Sequence, residues 1–208
     1  MSFGLVKHNN NSISAVTSVG LTQGKMTLIK EQTASSSSSI SFVDGSSSVV
    51  LDNTYPIYVF KYINIHPATD SVYFNVNFST DSGSNYNVTK TTTIFIGFHK
   101  EHDSTAVLQY QTGDDLAQST SDAKLSVLVG NGNDESTSGE LILFNPSSTT
   151  FMKHFISKSN DYERNNASSN TFASGYGNTT SAIDGVRFKM SSGNIDSGTI
   201  KLYGIKGS

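Results

Sequence analysis

The chain has 208 residues, a net charge of −3, no cysteine and no tryptophan, and only 15% of its residues are charged. The 14 basic residues are scattered rather than striped, which excludes recognition of nucleic acid by phosphate neutralisation. Without cysteine there are neither disulfides nor thiolate metal ligands, and without an apolar run of about 20 residues there is no spanning helix.

Residues 1–24 differ in character from the rest of the chain. A polar cluster, Asn9, Asn10 and Asn11, precedes a weakly apolar, small-residue segment from Ser12 to Leu21. It reads either as a first edge strand or loose terminus, or as an arm that docks on a neighbouring subunit or host structure. It lacks the apolar stretch of a signal peptide, so secretion by that route is not expected.

From residue 25 onward the dominant signal is a period of two. Val72, Phe74, Val76 and Phe78 alternate with Tyr73, Asn75, Asn77 and Ser79, and Val186, Phe188 and Met190 alternate with Arg187, Lys189 and Ser191. Such alternation places one set of side chains on a core face and the other in water. Strands are predicted at 25–31, 39–43, 57–65, 72–78, 93–99, 106–111, 125–129, 140–144, 150–157, 171–176, 186–190 and 199–205. No segment predicts a helix. About a quarter of the chain is Leu, Ile, Val or Phe, enough for a packed core. The expected interior holds Phe74, Val76, Phe78, Ile94, Ile96, Phe188, Ile200 and Leu202.

Turn chemistry separates these runs. Asp81 to Asn85 supplies residues that tolerate positive φ, and Asn145-Pro146 favours turn initiation. His66-Pro67-Ala68-Thr69-Asp70 is short enough to close a hairpin between 57–65 and 72–78. Ser192-Gly193-Asn194 and Asp196-Ser197-Gly198 mark further turns, and the serine run at 35–39 is a polar loop. Two runs, 57–65 and 141–144, are apolar on both faces, which predicts cover by a loop, an arm or another subunit. The fold class is therefore all-β: an antiparallel, jelly-roll-like β-sandwich formed by residues 25–208 as one domain, with 1–24 as an arm or edge strand.

Catalytic chemistry is sparse. His99, Glu101, His102 and Asp103 form the densest cluster of potential ligands. In a strand His99 and His102 point to opposite faces, so only a turn at 100–103 would bring them together, and no distant third ligand is evident. Asn131 to Glu135 is oxygen-rich but lacks calcium-loop spacing, and Asp114 and Asp115 diverge in extended chain. His154 reads as a packed or hydrogen-bonded strand residue. No nucleophile elbow, phosphate loop or dinucleotide fingerprint occurs. No enzyme, no cofactor and no metal site are expected. Tyr86, Tyr110, Tyr162 and Tyr176 fall in or near loops and are the candidate contact residues for a glycan or a protein.

Several segments also carry a resemblance. Leu28 to Phe42 (LIKEQTASSSSSISF), Phe60 to Asp70 (FKYINIHPATD), Ser138 to Thr150 (SGELILFNPSSTT), Asn178 to Asp184 (NTTSAID) and Phe188 to Ile205 (FKMSSGNIDSGTIKLYGI) together resemble virion structural proteins of tailed marine bacteriophages, of the cyanophage and pelagiphage kind. The resemblance runs from about residue 25 to the C-terminus and brings no catalytic motif. It implies a non-enzymatic protein of the virion, assembled in the host cytoplasm and displayed on the particle as a tail, fibre or head-decoration component. Its implied partners are other virion proteins and further copies of itself. A homo-oligomer is expected, a trimer by analogy with phage fibres and decorations. The alternative is a carbohydrate-binding module for host surface glycan; a polysaccharide depolymerase would need converging carboxylates.

Overall fold

The computed structural model describes residues 26–206, which contain twelve strands and no helix. The arm assigned to 1–24 lies outside the described residues. In chain order the strands are β1 (Met26–Thr33), β2 (Ile40–Val43), β3 (Ile57–Pro67), β4 (Phe74–Ser79), β5 (Lys90–Lys100), β6 (Ala106–Tyr110), β7 (Ala123–Lys124), β8 (Thr137–Phe144), β9 (Lys153–Glu163), β10 (Ala167–Gly177), β11 (Gly185–Met190) and β12 (Ile195–Ile205). They form two antiparallel sheets, an eight-stranded one of order β1-β12-β3-β8-β9-β10-β5-β6 and a four-stranded one of order β2-β11-β4-β7.

The pairing identifies the wrap. β1 pairs with β12, β2 with β11, β3 with β8 and β4 with β7. One half of the chain, β1-β2-β3-β4, thus runs antiparallel to the other half, and each step along this ribbon changes sheet. That is a jelly roll. Two hairpins are inserted into it. β5–β6 sits between β4 and β7, β9–β10 sits between β8 and β11, and β10 pairs with both β9 and β5. The insertions double the width of one sheet only.

Where the two sheets face each other, the core is apolar and aromatic. Phe188 lies 5.3 Å from the Phe60 ring, 5.7 Å from Phe74 and 6.3 Å from Phe42, while Tyr62 meets Phe74 at 5.1 Å. All eight residues expected in the interior are buried. Alternation on β3, β11 and β12 delivers these side chains to one face because the pleat has a period of two.

Three local expectations change. The segment 66–70 is not a hairpin: β3 and β4 belong to different sheets, so it is a corner of the roll. Ser192-Gly193-Asn194 is a corner as well, between β11 and β12, whereas 196–198 lies inside β12, where the register shifts. Gly198 there has φ +114°, and a Cβ would fall 2.5 Å from the Asn64 carbonyl oxygen, so only glycine fits. Finally, 125–129 is buried at Leu125, Val127 and Val129 but makes no ladder. Its backbone is captured instead: Leu125 and Ser126 both donate to the Phe74 carbonyl, Leu128 has φ +47°, and Val127 N–H donates to Asp161.

Candidate interaction surface

The outer face of the eight-stranded sheet carries ordered rows of side chains, because register aligns one residue from each strand. In one row Glu31, Lys201, Lys61, Glu140 and Lys158 stand side by side on β1, β12, β3, β8 and β9. Lys201 pairs with Glu31 at 2.9 Å and Lys61 with Glu140 at 3.2 Å. The row continues as Phe172, Phe95 and Tyr110 on β10, β5 and β6. Lys158 lies 5.6 Å from the Phe172 ring, and Phe172 stacks on Phe95 at 5.0 Å.

The next row is apolar: Leu28, Tyr203, Val59, Ile142 and Ile156. Beyond it lie Met26, Ile205, Ile57 and Phe144. Val59 is buried between its neighbours, whereas Leu28 and Ile156 are each 50% exposed. These rows contain Ile57 and Val59 of the two-faced run 57–65 and Ile142 and Phe144 of the run 141–144. They form a corner of sheet with unusually large apolar side chains facing outward.

The four candidate tyrosines do not share one platform. Tyr110, Tyr162 and Tyr176 lie on the outer face of the wide sheet, on β6, β9 and β10. Tyr162 pairs with Ser168 at one end of β10, and Tyr176 stands near the other end beside His154, with ring centroids 6.3 Å apart. The Tyr110 hydroxyl donates to Asp115 Oδ2 at 2.6 Å, which pushes its phenol above the ordinary value. Desolvation, then Glu101, does the same at Tyr162. Tyr86 precedes β5, and the Arg187 guanidinium packs over its ring at 4.6 Å. His154 is exposed on the outer face rather than packed in the interior.

The turn at 100–103 does form: Asp103 N–H donates to the Lys100 carbonyl, and the His99 ring bonds Asp103 Oδ1 at 2.9 Å. Among the described residues no group of three or more His, Cys, Asp or Glu is arranged to hold a metal ion. Asp114 pairs with Lys124, and Glu135 accepts the Gly132 N–H, so these carboxylates serve their own loops.

The inner face of the inserted hairpins holds charged groups that no motif or periodicity marks in the sequence. Asp161 is fully buried, accepts hydrogen bonds from Thr137 and Thr171 hydroxyls and from Val127 N–H, and is pushed up to about 7 by desolvation. Lys90 is also fully buried, donates to Asn77 Oδ1 and the Val88 carbonyl at 2.6 Å each, and is pushed down to about 8 by desolvation. Asn75, Asn77 and Ser79, expected in water, are buried beneath this part of the chain. Beside it runs an open groove of about 570 Å³, floored by Ile96, Phe98 and Val107 and flanked by Tyr73, Gln109 and Gln111. Lys124 sits 4.0 Å from the Tyr73 ring centre.

Compared with known proteins, the chain matches no family model, no curated protein and no solved structure.

Proposed function

We propose that the chain is a non-enzymatic structural protein of a tailed-phage virion, displayed on the particle surface and acting through contacts of its wide sheet. The observation that carries this reading is the pair of apolar rows on the outer face, with Leu28 and Ile156 half exposed. A monomer in free solution gains nothing from such a face, whereas packing against other subunits removes it from water. A surface with few charges and much Ser, Thr and Asn suits close packing at high copy number. The jelly roll adds an analogy, since capsid and lectin domains use this architecture, and the resemblance to marine phage virion proteins points the same way.

The test is to label the protein on purified particles by electron microscopy, with Leu28→Glu and Ile156→Glu variants alongside. Both variants keep the circular dichroism of the fold and enter particles poorly. Removing residues 1–24 should leave the sandwich folded and weaken incorporation in the same way. Full incorporation of all three variants defeats the proposal.

A second reading, recognition of host surface glycan, is favoured by the groove beside Tyr73. It joins an aromatic ring to the planar amides of Gln109 and Gln111, groups suited to a sugar's apolar face and hydroxyls. Titration with host surface polysaccharide, comparing the wild type with Gln109→Ala, tests it: binding that weakens in the variant supports it, and absence of binding ends it.

A further inference from the structure

The wide sheet ends in two edges of different chemistry. At β1 the register shifts between Leu28 and Lys30, and Lys30 and Glu31 stand on the strand. A bulge and charges are devices that keep an edge from pairing with another chain. At the opposite edge, β6 reads Ala106-Val107-Leu108-Gln109-Tyr110, with no charge, proline, glycine or bulge. All five residues are exposed, Leu108 at 78% and Tyr110 at 48%.

The hydrogen bonding flanking β6 fixes which backbone groups are free. Gln111 N–H donates to the Ile94 carbonyl at 2.9 Å, and Lys100 N–H donates to the Thr105 carbonyl at 3.0 Å. In an antiparallel ladder, alternate residues face the partner strand. The odd-numbered residues 105–111 therefore turn to β5, and the N–H and C=O groups of Ala106, Leu108 and Tyr110 point away from the sheet.

We propose that β6 pairs antiparallel with β6 of a second copy of this chain, about a two-fold axis at Leu108. That register places Leu108 opposite its own copy and Ala106 opposite Tyr110. All three pairs then fall at hydrogen-bonding positions, so every free N–H and C=O of the edge finds a partner. The side chains are self-complementary as well. The largest residue of the edge faces the smallest, and Val107 faces Gln109 on the inner side. Leu108 meets its copy beside Gly97, where a Cβ would have nothing within 4 Å. The stacked pair Phe172 and Phe95, followed by Tyr110, carries an aromatic row up to the joint. A contact of this kind is isologous and closes as a pair, which replaces the three-fold arrangement argued from analogy. A five-residue edge buries less than the roughly 1,600 Å² of a standard interface, so the pair is weak in dilute solution and forms at high local concentration. The pairing does not depend on the virion reading.

Sedimentation of the full chain over a concentration series tests this, with Leu108→Lys as the variant. Its side chain is open to solvent and its fold role is small, but two lysines would meet on the axis. The expected result is a reversible monomer–dimer equilibrium whose dissociation constant rises about tenfold or more in the variant, at an unchanged melting temperature. Because the chain has no cysteine, Leu108→Cys is a clean second probe, and Thr33→Cys on the opposite edge is its control. Mild oxidation should link the first into dimers and leave the second monomeric. A wild type that stays monomeric, a trimer, an unaffected Leu108→Lys dimer, or equal cross-linking at both edges overturns the proposal.

Discussion

The two halves of the interior are built on different principles. Between β3, β8 and β12 on one side and β2, β4 and β11 on the other, sheet faces sheet, the strands are held by ladders, and the contact is phenylalanine on phenylalanine. Behind β9, β10 and β5 the opposing layer is not a sheet but the irregular chain 111–129. Its backbone pairs only in pieces, through the two-residue β7 and isolated bridges such as Lys90 to Ser119 and Val72 to Val129, and a buried N–H or C=O left between them without a partner is costly. Side chains supply further partners: the Ser159 hydroxyl donates to the Leu125 carbonyl at 2.9 Å, the Thr92 hydroxyl accepts the Leu116 N–H at 2.8 Å, and Asp161 accepts the Val127 N–H at 3.3 Å. A polar interior is what a sheet acquires when it is covered by a loop.

The sharpest contrast should come from the aromatic half. Phe188→Ala removes a ring that touches three others and leaves a cavity in a dry core, so it should cost about 3–5 kcal/mol in urea unfolding. A loss below about 1 kcal/mol would mean that this half is not the stable one.

The polar half should reveal itself through pH. Native Asp161 keeps its proton up to about 7, whereas its ordinary value is 3.8. Between those values the native state binds more protons than the unfolded state, so this group's contribution falls as pH rises, by at most about 1.4 kcal/mol per unit. Lys90 acts in the opposite sense: native it loses its proton at about 8, unfolded at 10.5. Its contribution therefore rises with pH between those values. Together they set a stability minimum near pH 7 to 8, measurable as a dip in urea midpoint. Asp161→Asn should flatten the acid side of the dip and leave the alkaline side in place.

A smaller effect separates backbone rescue from packing. Ser159→Ala removes no apolar contact of consequence but leaves the Leu125 carbonyl unpaired, for an expected loss of about 1–2 kcal/mol. The smallest effect lies on the outer face. Lys61 and Glu140 are 3.2 Å apart and about 40% exposed, so a double-mutant cycle on that pair should give no more than about 1 kcal/mol.

Legibility in the sequence followed the same division. Residues 186–190 read correctly as a strand with Val186, Phe188 and Met190 inward, because apolar and polar side chains alternate there and the core they enter is apolar. Lys153, Phe155, Ser157, Ser159, Asp161 and Glu163 alternate with equal regularity, yet their inward set is largely polar. Hydropathy cannot mark that face as buried, since what buries it is a loop distant in the chain. Asn75 and Asn77 misled for the same reason. Of the tyrosines assigned to loops or their neighbourhood, Tyr110 is exposed, Tyr86, Tyr162 and Tyr176 are half-buried, and their spacing along the chain carries nothing about whether they share a face. The turn at 100–103 and the breaks at Asn145-Pro146 were readable because backbone preference there is local.

What the sequence determined by itself is the strand content, the period-two faces of the apolar core and the all-β class, all consequences of local sterics and of apolar burial at a two-residue repeat. What only the tertiary structure decided is which strands pair. The segment 66–70 has the length of a hairpin and is a corner, because β3 finds better partners in β8 and β12 than in its neighbour in the chain. Pairing is set by long-range contacts among many compatible strands, and those same contacts leave β6 as an unguarded edge and carry Asp161 and Lys90 into the interior.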